Sequence, residues 1–395
     1  MELSAQLNSA QKAYLDFLRA LAAQLVLFGH VANYFLPDTF FAHTGGMFQS
    51  VGVNIFFLIS GFLISYSVFM KRSDPSYRFG SYMADRFSRI YSAYLPALVL
   101  VAIVDALIVN NPAYRWKHDY NVQTWLGNLL MLQDFPLFQA LRRLGVEDHS
   151  WFVAEFGSAR PFWTISIEWW IYLLFGGVMF LVCRPADSRP RRLGVAALLF
   201  LAISAIEPAY HFVGGFGRCL SMLWGIGLGA SWLQVKLPLL QKRDRPLSPT
   251  RLFRISVAVA VAGVVFMLAR LLGNHFETRE LQFSLFLALS VFGVLFALAF
   301  AKPRVPRAVG WGTGFVAAYS YSLYLTHHTF LEYASVKRPG LVGHPGSFWL
   351  MVAAANILAI AFWFLFERHY RQLARLAKIY LRKAKSTPTR LLAGG

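Results

Sequence analysis

Residues 14–34 read YLDFLRALAAQLVLFGHVANY, an apolar run long enough to cross a bilayer as one helix, yet it carries Asp16, Arg19 and His30. Arg19 and His30 are eleven positions apart. At about 100° per residue, that spacing returns to within roughly 20° of the same face, about 16 Å further along the axis. Charged groups on a membrane helix are costly against lipid, so they face a protein interior or a watery cavity. Taken alone, the stripe fits a snorkelling Arg19 with a packing histidine as well as it fits groups facing such a cavity. Asp16, one turn from Arg19, fits a helix-stabilising ion pair that needs no chemistry.

The rest of the chain repeats the apolar theme. Of 395 residues, 57% are hydrophobic and only 14% charged, too apolar for an ordinary soluble protein. Continuous runs of about 20 apolar residues predict an all-α polytopic membrane protein and exclude a β-barrel, whose strands would alternate. About ten spans are expected, near 13–36, 47–70, 88–110, 162–183, 193–210, 215–234, 252–273, 281–301, 309–333 and 347–368. The net charge of +19 does not read as nucleic-acid binding, because the basic residues sit mainly in the short connections between runs. Cys183 and Cys219 read as small core residues, and neither a disulfide framework nor a metal site is expected. The first run is too long and too charged for a cleavable signal peptide.

Orientation follows from the connections. Basic residues follow the second, fourth, sixth, eighth and tenth spans, while 37–46 has none. The positive-inside rule then puts both termini and the even-numbered loops in the cytoplasm. Two stretches stand apart from the membrane core of residues 1–370. The loop of about 111–161, with Trp116, Trp125 and Trp151, is expected on the outer face as a partial lid or acceptor platform. The tail 371–395 spaces Arg371, Arg375, Lys378, Arg382 and Lys385 by fours and threes, which predicts a basic helix on the cytoplasmic leaflet.

With this topology, Arg19 falls in the inner third of the first span and His30 in its outer third. Glu168, His327, Asp105 and Asn54 fall at depths comparable to His30, which predicts one shared cavity open to the outside. Arg86 and Arg89, near Arg78 at the entrance to the third span, oppose the helix dipole; an anion is a plausible partner, and ordinary positive-inside topology is the alternative. No internal repeat is visible, so an inverted-repeat transporter gains no support.

These segments together resemble the membrane acyltransferase-3 family over essentially the whole chain. The resemblance rests on Arg19…His30 preceded by YLDFLRALA, on GVNIFFLISGFLIS (Gly52 to Ser65) and on DRFSRIYSAYLP (Asp85 to Pro96). It continues through FWTISIEWWIYLLF (Phe162 to Phe175), SYSLYLTHHTF (Ser320 to Phe330) and FERHYR (Phe366 to Arg371). The chain departs from the family pattern at Asp85, Ser92 and Trp169, and it has Thr326 and His328 where relatives often carry tryptophan. Some relatives add a secreted hydrolase-like domain, which this chain is expected to lack.

The resemblance implies a ten-span bacterial inner-membrane O-acyltransferase with no permanently bound cofactor. Its donor would be acyl-coenzyme A, most often acetyl-coenzyme A, and its acceptor a sugar or glycan hydroxyl at the outer face. Arg19, Arg86 and Arg89 would meet the donor phosphates, for which guanidinium is suited. His30 would be the general base, and Glu168 would orient it or stabilise its imidazolium. Asn54, Ser60, Tyr324 and His327 are supporting or oxyanion candidates. The partners expected are acyl-coenzyme A, the acceptor and the lipid bilayer, with no nucleic acid. A transporter or flippase, and a membrane receptor or scaffold without catalysis, are the readings from other classes.

Overall fold

The computed structural model describes residues 4–39, 44–71, 74–133, 135, 153–182, 220–240, 248–273 and 281–386, and no strand occurs among them. In chain order the α-helices are α1 (Ser9–Phe35), α2 (Gly45–Lys71), α3 (Phe79–Ala106), the short α4 (Val122–Leu129) and α5 (Trp163–Gly177). They are followed by α6 (Leu220–Leu240), α7 (Pro249–Gly273), α8 (Leu281–Ala301), α9 (Arg307–Lys337), α10 (Pro345–Leu365) and α11 (Tyr370–Ser386). Among the described residues, seven helical stretches are long and apolar enough to cross a membrane. They match seven of the ten expected spans. The expected spans 215–234 and 309–333 form as α6 and α9, and 193–210 lies outside the described residues, as do Cys183 and Cys219.

α9 is too polar to qualify on apolarity because it is a central helix. It packs against α1, α3 and α10, and its Ser320, Ser322, Thr326, His327, His328, Thr329 and Glu332 are all buried. α7 is the opposite case: Val257, Val261, Val264, Val265 and Phe266 are exposed along it, as a lipid-facing helix requires.

α1 starts at a capping box, in which Asn8 Oδ1 accepts from the Gln11 amide (2.9 Å) and Gln11 Oε1 accepts from the Asn8 amide (3.1 Å). Gln11 Nε2 then donates to Gln234 Oε1 (3.0 Å) and to the Leu295 carbonyl (3.3 Å), tying α1 to α6 and α8. Without a hydrophobic drive between helices in lipid, close backbone approach takes its place. A Cβ at Gly61 would lie 2.0 Å from the Trp224 carbonyl oxygen, and one at Gly227 2.2 Å from that of Leu58, so α2 and α6 cross glycine on backbone.

One expectation is corrected. The third span starts at Phe79, not near 88, so Arg86 and Arg89 lie two to three turns inside α3. The dipole argument fades within one turn and does not apply to them. The apolar run hid this because the first two turns, FGSYMADR, are amphipathic and pack on α11. α11, expected as a basic helix on the cytoplasmic leaflet, is a helix over Tyr370–Ser386. It packs along α3 with Ala374 buried, and it leaves Leu373, Leu376 and Tyr380 exposed.

Candidate active site

Two cavities enter the bundle, one at the end where α1 and α3 begin and one at the end where α2 and α10 begin. The first has a volume of about 530 Å³. Its wall carries seven basic side chains (Arg19, Lys71, Arg86, Arg89, Arg371, Arg375 and Lys378) and two acidic ones, Asp85 and Glu168. The bases differ in how they are partnered. Arg89 forms an ion pair with buried Glu367, whose second oxygen accepts from the Ser322 amide (3.0 Å) and hydroxyl (2.6 Å). Its guanidinium also lies 5.0 Å from the Tyr370 ring and 5.5 Å from that of Tyr321. Lys378 Nζ is 2.5 Å from Asp85 Oδ1, and Lys71 Nζ is 4.0 Å from Oδ2. Arg19 keeps its one-turn neighbour Asp16 at 3.9 Å. Arg86 lies 5.8 Å from the Tyr82 ring, and its buried Nε has no hydrogen-bond partner.

Glu168 lies in this basic cavity. The Ser60 hydroxyl (2.5 Å) and the Tyr172 hydroxyl both donate to its Oε1, and the two hydroxyls are 2.9 Å apart. One turn above Glu168 on α5 is Thr164, whose Oγ1 lies 2.6 Å from the Tyr324 hydroxyl. That hydroxyl donates to the Pro161 carbonyl (3.0 Å), and the Tyr324 ring meets Phe56 edge-on at 5.8 Å. Val53 and Tyr324 border both cavities. They form the partition between them.

The second cavity, of about 320 Å³, holds His30, Tyr34, Arg115, Trp116, Arg160 and His328 in its wall. Three imidazoles cluster there: the His30 ring centroid is 5.1 Å from that of His327 and 5.0 Å from that of His328. His327 Nδ1 is 2.8 Å from the Leu323 carbonyl and His328 Nδ1 is 2.7 Å from the Ser158 carbonyl. A carbonyl only accepts, so each Nδ1 carries the proton and each Nε2 keeps its lone pair. His327 Nε2 and both ring nitrogens of His30 are buried without hydrogen-bond partners. On the far side of His328, the Tyr34 hydroxyl is 3.3 Å from Nε2 and donates to Glu332. Glu332 also accepts from Trp116 Nε1 (3.2 Å) and faces Arg115 at 3.5 Å.

The connection after α3 forms the cavity's rim. Asp105 accepts from the Ser158 amide and hydroxyl and from the Tyr114 hydroxyl, each at 2.7 Å. Burial, with the adjoining Asp105 carboxyl, holds the Tyr114 hydroxyl well above the ordinary phenol range, so it stays a donor. Gly157 has a φ of +50°, and a Cβ there would lie 2.2 Å from Asp105 Oδ2, so glycine alone fits this close approach. Arg160 pairs with Asp119 and Glu155, each at 2.9 Å, and covers the Trp116 ring at 4.4 Å. The expected platform therefore contributes Arg115, Trp116 and Arg160. Trp151 lies outside the described residues.

The single shared cavity expected for His30, Glu168, His327, Asp105 and Asn54 does not form. His30 and His327 meet. Glu168 does not reach His30, because Tyr324 and Thr164 close the space above it. Depth along a helix leaves such a partition unspecified. Asp105 anchors the rim, and buried Asn54 donates to Ser284 Oγ (3.1 Å) at the contact of α2 with α8, in neither cavity. Arg19, Arg86 and Arg89 do come together, and Ser60 stands beside Glu168. Sequence reasoning did not single out Tyr34, Glu332, Tyr172 or Glu367 as site residues. Glu367 lies in the FERHYR segment, Tyr172 in FWTISIEWWIYLLF and Tyr34 at the end of the first run, whereas Glu332 is outside every quoted segment.

A family model described as an acyltransferase domain matches residues 12–368. The exopolysaccharide production protein ExoZ of Rhizobium meliloti (strain 1021) is 27% identical over 340 residues, 84% of this chain and 92% of that protein. A Staphylococcus aureus (strain COL) protein provisionally named an O-acetyltransferase is 22% identical over 338 residues, 81% of this chain. The match spans only 50% of that relative's length. An O-acetyl transferase of Shigella phage Sf6 is 32% identical over 170 residues, 41% of this chain and 44% of that protein. No solved structure matches the chain.

Proposed function

The chain belongs to the acyltransferase-domain family, and from that membership we propose that it transfers an acyl group, acetyl in the first instance, from acyl-coenzyme A to a hydroxyl of a sugar or glycan. The observation that carries this reading is the pair of cavities abutting at Val53 and Tyr324, one strongly basic and the other holding an imidazole with both nitrogens unpartnered. The basic cavity opens to the cytoplasm, both termini lie there, and the histidine cavity opens to the outer face of a bacterial inner membrane. The charge asymmetry of the connections supports this orientation. The names of the relatives, O-acetyltransferase and exopolysaccharide production protein, support an exported glycan as acceptor.

In this mechanism Arg86, Arg89 and Arg19 attract the phosphates of the donor, and the pantetheine arm threads past Tyr324 to bring the thioester under His30. The acceptor hydroxyl enters beside Trp116 and Tyr34. A bare nitrogen of His30 takes the hydroxyl proton as the oxygen attacks the thioester carbonyl. The carbon–sulfur bond then breaks, and the imidazolium returns the proton to the departing thiolate. The ester and free coenzyme A result. Glu168 takes no part in orienting His30; with Ser60 and Tyr172 it shapes the donor side. His327, its Nδ1 fixed on Leu323, keeps a second lone pair next to His30 and can accept a hydrogen bond from the imidazolium that forms there.

The test is acyl transfer with acetyl-coenzyme A and glycan acceptor in wild type, His30→Ala and the Arg86→Ala/Arg89→Ala double variant. Donor binding kept but transfer lost in His30→Ala, with binding lost in the arginine variant, supports the reading. A wild type that binds no acyl-coenzyme A and a His30→Ala variant that keeps cellular function overturn it. Two cavities meeting end to end also suit a glycan transporter or flippase. Flux of acceptor without donor turnover would move that reading to the front.

A further inference from the structure

The basic cavity has more positive charge than its named arginines use. Arg89 is committed to Glu367, Lys378 and Lys71 flank Asp85, and Arg19 sits near Asp16. Three lining cations form no ion pair with a carboxylate among the described residues: Arg86, Arg371 and Arg375. Arg86 Nε is buried with no hydrogen-bond partner. Arg371 and Arg375 are four residues apart on α11, so they stand one above the other on the face that, through buried Ala374, packs towards the cavity. The contact of Lys378 with Asp85 clips α11 to α3 at 2.5 Å and holds this face in place.

We propose that α11 is a wall of the donor site, with Arg371 and Arg375 joining Arg86 to hold the phosphate groups of a nucleotide-type ligand. The proposal rests on the acyl-coenzyme A reading and assigns the terminal helix to that site. Arg89, its charge balanced by buried Glu367, attracts the phosphates less strongly than guanidinium groups that face no carboxylate; Arg371 Nε donates to the Tyr370 hydroxyl (3.1 Å), and its terminal nitrogens suit bidentate contacts to phosphate. Lipid phosphates share this chemistry, and the exposed Leu373, Leu376 and Tyr380 would lie on a bilayer surface, so the experiment separates the two sources.

Full-length protein in nanodiscs of neutral phosphatidylcholine is titrated with coenzyme A by calorimetry, as wild type, Arg371→Ala/Arg375→Ala and Arg371→Lys/Arg375→Lys. The alanine pair is expected to weaken binding by roughly tenfold or more, as loss of charged hydrogen bonds does, and the lysine pair by less. Melting temperature checks that each variant is folded; both arginines are exposed. Coenzyme A affinity unchanged in a folded alanine variant overturns the proposal and leaves the donor reading intact. A variant that loses only its association with phosphatidylglycerol vesicles overturns it too, and assigns the arginines to lipid. If wild type itself binds no coenzyme A, the donor reading fails with it.

Discussion

The cavity of about 530 Å³ that holds Arg86 and Arg89 and the cavity of about 320 Å³ that holds His30 share Val53 and Tyr324, yet they differ in which buried polar groups they leave unpartnered. In the first, most charges are paired, Arg89 with Glu367 and Lys378 with Asp85, while Glu168 accepts from Ser60 and Tyr172 and the unpartnered Arg86 Nε is a donor. In the second, His30 has two unpartnered nitrogens and His327 one. A buried polar atom without a partner is costly to leave and persists where function uses it. The basic cavity is therefore built to hold charge. The histidine cavity keeps lone pairs in reserve.

The sharpest way to break this comparison is His30→Ala. If the unpartnered imidazole is the proton acceptor, glycan acylation should fall by about 10²–10⁴-fold, the usual contribution of a general base. If the basic cavity holds the donor, coenzyme A affinity should stay unchanged, since His30 does not line that cavity. Transfer followed by thiol release, alongside calorimetric binding, checks both halves. Loss of donor binding would mean that the two cavities are one site.

Next is Glu367→Ala, which tests the claim that the basic cavity is held together by internal pairing. Removing the carboxylate strands Arg89 and leaves the Ser322 amide and hydroxyl without their acceptor. Breaking a buried pair costs about 3–5 kcal/mol. A lowered melting temperature is expected, with part of the loss recovered in Glu367→Gln/Arg89→Met, where no charge is left unpaired. A double variant no better than the single would mean that the pair contributes little.

The residues of this contrast were legible in the sequence to different degrees. The Arg19–His30 stripe follows from helical periodicity, and the presence of most spans follows from their length and apolarity. Which cavity Glu168 faces does not. Its depth could be counted from Pro161, but the partition above it is made by Tyr324, about 160 positions away in the chain. α9 illustrates the same limit. Its hydroxyls and imidazoles lower its apolarity because they are the interior, so the helix at the centre of the site gives the weaker membrane signal. The pairing of Lys378 with Asp85 is likewise long-range, and the spacing of basic residues in α11 fits a lipid surface as well as a protein wall.

Tyr324 tests the partition. Tyr324→Ala should join the two cavities and let water reach the thioester. Acceptor-independent hydrolysis of acetyl-coenzyme A should then rise, on the order of tenfold, because a closed site suppresses such side reactions. Tyr324→Phe keeps the ring on Phe56 and loses the contacts of its hydroxyl, those to Thr164 and Pro161 among them, so its leak should be smaller. Equal leaks would put the seal in the hydroxyl rather than the ring.

The smallest effect separates buried polar groups that serve packing from those that serve chemistry. Asn54, expected at a depth comparable to that of His30, spends its amide on Ser284, outside both cavities. Asn54→Ala should cost about 1 kcal/mol for the lost hydrogen bond and leave donor affinity and turnover of the folded protein unchanged. Ser284→Ala in the same background should add little, because the two side chains satisfy each other. Turnover falling well beyond the change in melting temperature would return Asn54 to the site. The division between a charge-holding cavity and a lone-pair-holding one would then have to be redrawn along α2.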